Sequence, residues 1–533
     1  MTPDVYKTLD FPVAGMDLTR AYAKQMPRQM PSGTFGRTTR MGRNVRGYDP
    51  GSERVRGGSR PGLARYIDAR PVANWLIQEL GLVVHVNPGA GMQVSQSGRV
   101  VTLVAVSQGT VYTAQPGSTS WTAATNGTMH TPPLNFSGIM HSTQLNQKLW
   151  FADGVHWAYY DPSTNTVMPW AATAGTLPAD SAGNLPRLCC TWRGRMVLSG
   201  LPFDSHNWFM SKVGDPTNWD YFPTTGIRPD QAIYGNSSPL GLIGDTVTAL
   251  VPYTDDVLIV GGDHTLYMFR GDPMAGGQID LVSSAIGMAW GVPWCMDPYG
   301  TVYFVSNLMA IYALVPGQQP QRISQPIDSL LLAYNTGQMT IRLIWNDRYQ
   351  GLHVFLSWTA APAVTTHFFY EQRSGAWWMD QFADKRHDPL CCVTFDGNRP
   401  QDRAALIGSW DGYVRSLSGS ATKDDTIPIE SEVVIGPLNT PDLDEILVKE
   451  LQAVLGVTSG DVEYAIHSGA TVEEALGNDA AASGTWNAGR NLSSLVRRAG
   501  HALYVRISST DAWAMEQIRV RMAGTGKVRR RGA

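Results

Sequence analysis

Short apolar runs separated by turns recur along most of this chain. A clear example spans residues 191–222, where the apolar run RMVLS at 195–199 is followed by a turn at 200–206 and the aromatic run NWFMS at 207–211. A Gly-Asp-Pro turn at 214–218 comes next. An apolar run, a turn and an aromatic run in this order predict an antiparallel β-hairpin.

The hairpin unit repeats with a nearly constant period between residues 70 and 420. Its apolar strands end at positions 105, 152, 199, 260, 305, 356 and 407, which are 47, 47, 61, 45, 51 and 51 residues apart. A four-stranded propeller blade takes about 40 to 50 residues. The period predicts a β-propeller. The chain offers seven candidate units, and the propeller has fewer blades if one or two of these units belong to an adjoining sheet. The longest interval contains residues 214–245, for which we predict a projecting loop.

The pattern changes near residue 420. The polar stretch SGSATKDDT at 418–426 is typical of a linker, and apolar segments follow at 427–435, 447–457, 462–467, 502–507 and 515–522. Leu451, Ala453 and Leu455 place apolar residues at every second position, which favours a strand over a helix in 443–455. The expected fold is all-β, with a propeller at 70–420 and a β-sandwich platform at 421–533, with or without strands from the N-terminal arm at 1–69.

The N-terminal arm has an unusual charge pattern. Residues 20–65 contain ten arginines and Lys24 but only two acidic residues, Asp49 and Glu53, which gives a local net charge of +9. Two interpretations stay open, a solvated arm or an arm that orders against acidic protein or phosphate backbone, since the arginine fork binds both. The candidate contact residues of the arm are Arg37, Arg40, Arg43, Arg46, Arg54 and Arg56, and those of a basic tail are Lys527, Arg529, Arg530 and Arg531.

Composition narrows the functional classes. The 533 residues carry a net charge of only −3, so a nucleic-acid-binding field over the whole protein is not expected. The five cysteines include two adjacent pairs, which fits neither a disulfide framework nor a zinc site, and we expect buried, reduced thiols. The sequence predicts no signal peptide and no membrane-spanning helix, and hence folding in a cytoplasm.

Recognisable catalytic motifs are missing from the sequence. HExxH, GxSxG and GxxxxGK[ST] are all absent, so no catalytic residues, metal or cofactor are expected. Asp255, Asp256 and Asp263 fall at expected turns, where aspartate caps backbone amides.

The order of the motifs resembles the tail nozzle proteins of short-tailed bacteriophages, also called tail tubular protein B or packaged-DNA stabilisation proteins. The resemblance is carried by RPGLARY at 60–66, TWRGR at 191–195, WFMS at 208–211, DPTNW at 215–219, DVLIVGGDHTLYMF at 256–269, DPYGTVYFV at 297–305 and NDRY at 346–349. It covers residues 60–420 in order, and a C-terminal sandwich follows as in the family. The arginine-rich pattern at 20–56 is not a family pattern.

The resemblance implies a structural virion protein rather than an enzyme. Members of the family form six-fold rings below the portal and its adaptor ring, hold packaged DNA in a narrow channel and release it at ejection. The expected partners are further copies of the chain in a hexamer, the adaptor, tail fibres or tailspikes, and genomic DNA contacted without sequence specificity. The expected location is the virion tail, after assembly in the host cytoplasm, and the insertion at 214–245 is a candidate gate.

Two other classes compete with this interpretation. A propeller glycan hydrolase or lyase with a carbohydrate-binding sandwich would need paired carboxylates that converge at the central channel. A cytosolic propeller scaffold for protein binding would need neither the basic arm nor the sandwich.

Overall fold

A computed structural model shows a chain built almost entirely of β-strands. It describes residues 4–20, 27–49, 52–86, 98–126, 140–224, 226–238, 240–397, 399, 402–438 and 445–525. The helices in these ranges are short, namely Asp328–Leu331, Val472–Gly477 and the 3₁₀ turns Gly235–Ser237, Gln325–Ile327, Thr336–Gln338 and Lys385–His387.

Seven sheets in the described ranges have the form of propeller blades. In each blade the strands are given from the inner to the outer one. Blade 1 consists of Ile77–Val86, Arg99–Ser107, Thr110–Ala114 and Thr122–Ala123, and blade 2 of His141–Leu145, Lys148–Ala152, Trp157–Asp161 and Thr166–Pro169, to which Thr125–Asn126 is added in parallel. Blade 3 consists of Leu188–Trp192, Arg195–Leu201, Asp204–Met210 and Ile233–Tyr234, and blade 4 of Val247–Thr254, Val257–Gly262, Leu266–Arg270 and Gln278–Ser283. Blade 5 consists of Trp294–Met296, Val302–Val305, Ile311–Leu314 and Gln321–Arg322, and blade 6 of Met339–Asn346, Gly351–Trp358, His367–Glu371 and Ala376–Asp380. Blade 7 consists of Pro389–Phe395, Ala404–Ser409, Val414–Leu417 and Leu63–Arg65.

The blades close into a ring. From blade 1 to blade 4 and from blade 5 to blade 7 the inner strand of one blade contacts the inner strand of the next, and Pro389–Phe395 of blade 7 contacts Ile77–Val86 of blade 1. Between blades 4 and 5 the link is a shared core, in which Ala249 and Val251 pack with Val302 and Phe304. Each of the seven repeat positions read from the sequence lies on the second strand of a blade, so the β-propeller prediction is confirmed.

Blade 7 is completed by the N-terminal region. Leu63–Arg65 pairs antiparallel with Val414–Leu417 and forms the outer strand of the blade. The propeller is therefore closed by hydrogen bonds between chain segments separated by most of the sequence. A ring closed in this way opens only when these bonds break.

Part of the insertion in blade 3 is paired with and packed against the propeller, so only the rest of it projects as we predicted for the whole insertion. Its strand Asn218–Trp219 pairs in parallel with Ala174–Gly175, and its strand Ile233–Tyr234 is the outer strand of the blade. Trp219 is fully buried against Trp170 and Met196. The part of the insertion that projects carries the exposed side chains of Phe222 and Ile227.

A β-sandwich forms the platform, as predicted. Its front sheet has the order Arg490–Gly500, Ile446–Leu455, Ala514–Gly524, Val55–Ser59 and Val45–Tyr48, and Val5–Leu9 also pairs with Ala514–Gly524. Its back sheet has the order Gly42–Arg43, Ser431–Leu438, Ala502–Ser509, Val462–Gly469 and Ala482–Trp486. Four strands of the N-terminal arm thus belong to the sandwich, while Arg28–Gln29 and Phe35–Gly36 form a separate hairpin.

The platform and the propeller share one hydrophobic core. Phe369 and Trp378 of blade 6 pack in the same cluster as Val433 and Leu451 of the two platform sheets. The back sheet also continues into blade 6, because Arg43 pairs with Met379 of the outer strand. Burial of a continuous apolar core stabilises the joint by about 25 cal/mol for each Å² removed from water.

The stretch at 418–426 is not a solvated linker. Lys423–Asp424 pairs with Ile427–Pro428, and the side chain of Asp424 is fully buried. The polar sequence between 468 and 501 contains Ala482–Trp486 and the edge strand Arg490–Gly500, which the sequence did not reveal because most side chains of the edge strand are exposed and polar. Ile446–Leu455 is a strand, as its alternation predicted.

Candidate functional site

The arm arginine Arg46 lies in the core of the protein. Its two Nη atoms donate to the two carboxylate oxygens of Asp380 at 2.7 Å each, and its guanidinium lies 4.1 Å from the ring centroid of Phe369. Only 5% of Arg46 is exposed. The expectation that Arg46 meets a partner or DNA is therefore wrong, since its charge is neutralised inside its own chain.

Three other arm arginines also contact the platform. Arg43 donates to Glu432 at 3.2 Å, Arg56 pairs with Asp49 and with Glu516, and Arg54 lies 3.3 Å from Glu516. The arm is thus ordered against acidic groups of its own chain and not against the partner that its charge pattern suggested.

The remaining candidate arginines of the arm differ in how much of their side chains is exposed to solvent. Arg40 donates to the backbone carbonyls of Leu18 and Arg20. Arg37 and Arg54 have side chains that are 41% and 59% exposed and pair only weakly, Arg37 with Asp10 at 3.6 Å. Among the described arm residues, these two offer the most charge to a partner. Lys527, Arg529, Arg530 and Arg531 lie outside the described residues.

Arg60 has a structural role that the sequence did not indicate. Its Nη atoms donate to the carboxylate of Asp424 at 3.0 and 2.7 Å, and its Nε donates to Asn44 at 2.8 Å. Asp424 accepts further bonds from the amides of Leu63 and Ala383. This buried cluster fixes the entry into the outer strand of blade 7.

The central channel holds a polar cluster between the inner strands. Glu79 of blade 1 accepts a hydrogen bond from Ser142 of blade 2 at 3.0 Å, and its other carboxylate oxygen lies 3.9 Å from Nη2 of Arg342 of blade 6. Burial raises the pKa of Glu79 to about 7, although the charge of Arg342 opposes this shift. Glu79 is therefore poised to exchange a proton near neutral pH.

His141 stays neutral beside this cluster. Burial, together with the positive charge of Arg342, lowers the pKa of His141 to about 4. Its Nδ1 lies 2.6 Å from the carbonyl oxygen of Arg187 and donates to it in the neutral ring. Gly291, at φ +102°, leaves room here, because a Cβ at this position would lie 3.1 Å from Nε2 of His141 and 3.7 Å from Nη1 of Arg342.

The cysteines belong to inner strands of the propeller. Cys189, Cys295 and Cys392 lie on the inner strands of blades 3, 5 and 7. All five cysteines are free, as predicted, but only Cys190 and Cys391 are fully buried, and the other three are partly buried. Burial raises the pKa of Cys392 to about 12 and those of Cys189 and Cys295 well above their usual range. The thiols are thus protonated at neutral pH and are weak nucleophiles.

The described residues that line the cavity in the channel include few acid-base groups. Glu79 is the one carboxylate among the described residues that line this cavity, whereas glycoside hydrolysis by the usual route needs two carboxylates flanking the bond. The described part of the chain holds no group of three or more His, Cys, Asp or Glu side chains suited to a metal ion.

In the described ranges no helix is long and apolar enough to cross a membrane. Asp255, Asp256 and Asp263 lie at turns, as predicted.

No protein-family model and no curated protein matches the chain. The extracellular domain of the hybrid two component system BT4673 from B. thetaiotaomicron is similar in structure, with a TM-score of 0.41 and 8% identity over 71% of this chain and 45% of that one. The chain thus spans less than half the length of this solved chain. YCF48 bound to D1 peptide gives a TM-score of 0.40 and 9% identity over 67% of this chain and 98% of that one. YCF48 from Cyanidioschyzon merolae gives 0.38 and 9% with the same coverage.

Proposed function

We propose that this protein is the tail nozzle of a short-tailed bacteriophage. It assembles as a homohexameric ring below the portal and its adaptor, extends the DNA channel, retains the packaged genome and releases it at ejection. Support comes from the motif order at 60–420, which resembles that family, and from the propeller and platform that those motifs build.

The shared core of platform and propeller carries the proposal. Strands from both ends of the chain form the platform, and its core continues into blade 6 through Phe369 and Trp378. A propeller fixed in this way cannot swing independently of the surface to which it is attached. This rigidity suits a ring in which platforms dock on an adaptor and propellers line a conduit.

The edges of the front sheet are the surfaces that we assign to ring contacts. At one edge, Arg490–Gly500 exposes Leu492 by 53% and Leu495 by 64%. On the opposite side of the sheet, Val5–Leu9 pairs only with Ala514–Gly524 among the described strands and exposes Val5 and Tyr6 by 53% and 52%. One edge of a subunit packed on the opposite edge of its neighbour is a heterologous contact, which closes into a ring when the rotation fits.

The other partners follow from this placement. The platform docks on the adaptor and on tail fibres or tailspikes, and packaged DNA is touched through its phosphates without sequence readout. Arg37 and Arg54 are the arm residues that we assign to such contacts, because their guanidinium groups are the most exposed.

Electron microscopy of the purified protein, alone and mixed with a portal–adaptor complex, tests the proposal. Two-dimensional class averages should show six-fold rings on the adaptor. A protein that stays monomeric and ignores the adaptor contradicts the proposal, and screening polysaccharides for cleavage then tests the competing hydrolase or lyase.

A further inference from the structure

A cavity lies inside the ring of blades. It has a volume of about 340 Å³ and is lined by inner strands of blades 1, 5, 6 and 7. Blades 1 and 5 are not neighbours, so a cavity that touches both lies within the central channel. Its size falls in the range of small-molecule sites, about 300 to 1,000 Å³.

Two hydrogen-bond donors at this cavity make no hydrogen bond to the described residues. Nη2 of Arg342 and Nε1 of Trp294 are both buried, and neither has a hydrogen-bond partner among the described residues. Both residues line the same cavity, and only 5% of Arg342 is exposed. A buried donor without an acceptor costs about 1 to 3 kcal/mol, and more when it is charged. An acceptor that enters the cavity removes this cost.

The rest of the lining is mainly apolar. Val292, Met296, Leu343 and Trp345 contribute to the walls. The cavity therefore combines a cationic donor group with surfaces suited to a hydrocarbon or aromatic body. This combination selects an amphipathic anion over an inorganic one, since an inorganic ion leaves the apolar walls without contacts.

We propose that the central channel binds a small organic carboxylate, with its carboxylate on Arg342 and Trp294 and its apolar body against the walls of the cavity. The guanidinium fork matches a carboxylate in charge and geometry. The proposal rests on the cavity inside one subunit's ring of blades and not on the proposed nozzle function, whose ring contacts we assign to the edges of the front sheet.

Glu79 competes with the ligand for Arg342. Its carboxylate lies 3.9 Å from Nη2 of Arg342 and accepts a hydrogen bond from Ser142. The other titratable groups near this carboxylate are the thiols of Cys189, Cys391 and Cys392, which stay protonated because burial raises their pKa. His141, on the other side of Arg342, is neutral above about pH 4. Below the raised pKa of Glu79, about 7, Arg342 has no anionic neighbour in this cluster, so the ligand binds more tightly in acid.

Isothermal titration calorimetry of the full chain with sodium benzoate tests the site, with neutral benzamide as the matched probe and ionic strength held constant. We expect one benzoate per chain, benzamide at least about tenfold weaker, and benzoate about tenfold tighter at pH 6 than at pH 8 as Glu79 titrates. Equal binding of the two probes, or no benzoate binding at millimolar concentration, overturns the proposal and leaves a water-filled cavity.

Three variants locate the binding. Glu79→Gln should bind benzoate equally at both pH values, as tightly as the wild type at pH 6. Arg342→Gln should lose benzoate binding, while Arg322→Gln, which changes a half-exposed arginine paired with Asp328 at 2.9 Å, should leave it unchanged. If Arg342→Gln does not fold, the Glu79→Gln result decides, since retained pH dependence in that variant contradicts the assigned position.

Discussion

Arg60 and Asp424 form a bidentate ion pair in which the two side chains are 2% and 0% exposed. The pair joins the N-terminal region to the segment that leaves blade 7, across 364 positions of sequence. Removing one partner leaves the other as a buried, uncompensated charge.

Arg60→Met should therefore destabilise the fold by about 3 to 5 kcal/mol, measured by urea denaturation. The matched control is Arg270→Met, which removes a half-exposed pair with Asp280 at 2.9 Å. Pairs of this kind contribute only about 0 to 1 kcal/mol. Equal losses in the two variants would show that the buried pair does not hold the closure.

Trp219→Ala should release the insertion of blade 3. The indole is fully buried and donates to the carbonyl of Pro216 at 2.9 Å, so its removal should cost about 3 to 5 kcal/mol in thermal or chemical unfolding. Phe222→Ala in the same insertion removes an aromatic ring that is 73% exposed and should change stability by less than about 0.5 kcal/mol. A stable Trp219→Ala protein would mean that the insertion is not anchored there.

Glu79 should make stability depend on pH. The folded chain holds the proton of Glu79 up to about pH 7, whereas the unfolded chain releases it near 4.5. The folded state binds more protons in this window, so the contribution of Glu79 to stability falls as pH rises from 4.5 to 7. Above pH 7 the loss amounts to about 3 kcal/mol.

Glu79→Gln removes this titration and should be more stable than the wild type at pH 8, with the difference shrinking towards pH 4. His141, whose pKa is lowered, titrates in the opposite sense, but it does so in both proteins. Denaturant titrations of both proteins across this pH range measure the difference. A difference that is constant with pH would contradict the raised pKa.

Leu492→Asp combined with Leu495→Asp should prevent ring formation without unfolding the chain, because both side chains are more than half exposed. Light scattering after size-exclusion chromatography gives the mass of the assembly. Leu308→Asp, at a propeller position that is 76% exposed, is the control and should still form rings. Rings that persist in the double variant would place the subunit contact elsewhere.

Charge reversal of the arm is informative only at its exposed positions. Arg37→Glu with Arg54→Glu should fold normally, since exposed pairs contribute about 0 to 1 kcal/mol, but should reduce docking or DNA retention in assembled particles. Arg46→Glu should instead prevent folding, because it places a second carboxylate beside the buried Asp380. Particles that keep their DNA with both exposed arginines reversed would remove the arm from the proposed contacts.

The propeller could be read from the sequence because its signals are local. A turn residue and the runs on either side, such as 195–199 and 207–211, define a hairpin without knowledge of distant partners. The strand Leu63–Arg65 could not be found in this way, because three residues carry no periodicity and its partner begins at Val414.

The charged clusters were hidden for a related reason. Arg46 and Asp380 lie 334 positions apart, and each residue by itself reads as ordinary surface charge. Glu79 and Arg342 likewise sit in separate strand patterns, and only the closing of the ring brings them together. Composition gave the local charge of the arm correctly, but it could not show that the neutralising acids belong to the same chain.

The N-terminal strand of blade 7 has a consequence for synthesis on the ribosome. Leu63–Arg65 leaves the ribosome early, but its partner Val414–Leu417 follows some 350 residues later. At about 5 to 20 residues per second, the early strand waits roughly 20 to 70 seconds as part of an unfinished nascent chain. During this time six blades can form in sequence, while the N-terminal strands that complete blade 7 and the platform still lack their partners and stay exposed to chaperones and proteases.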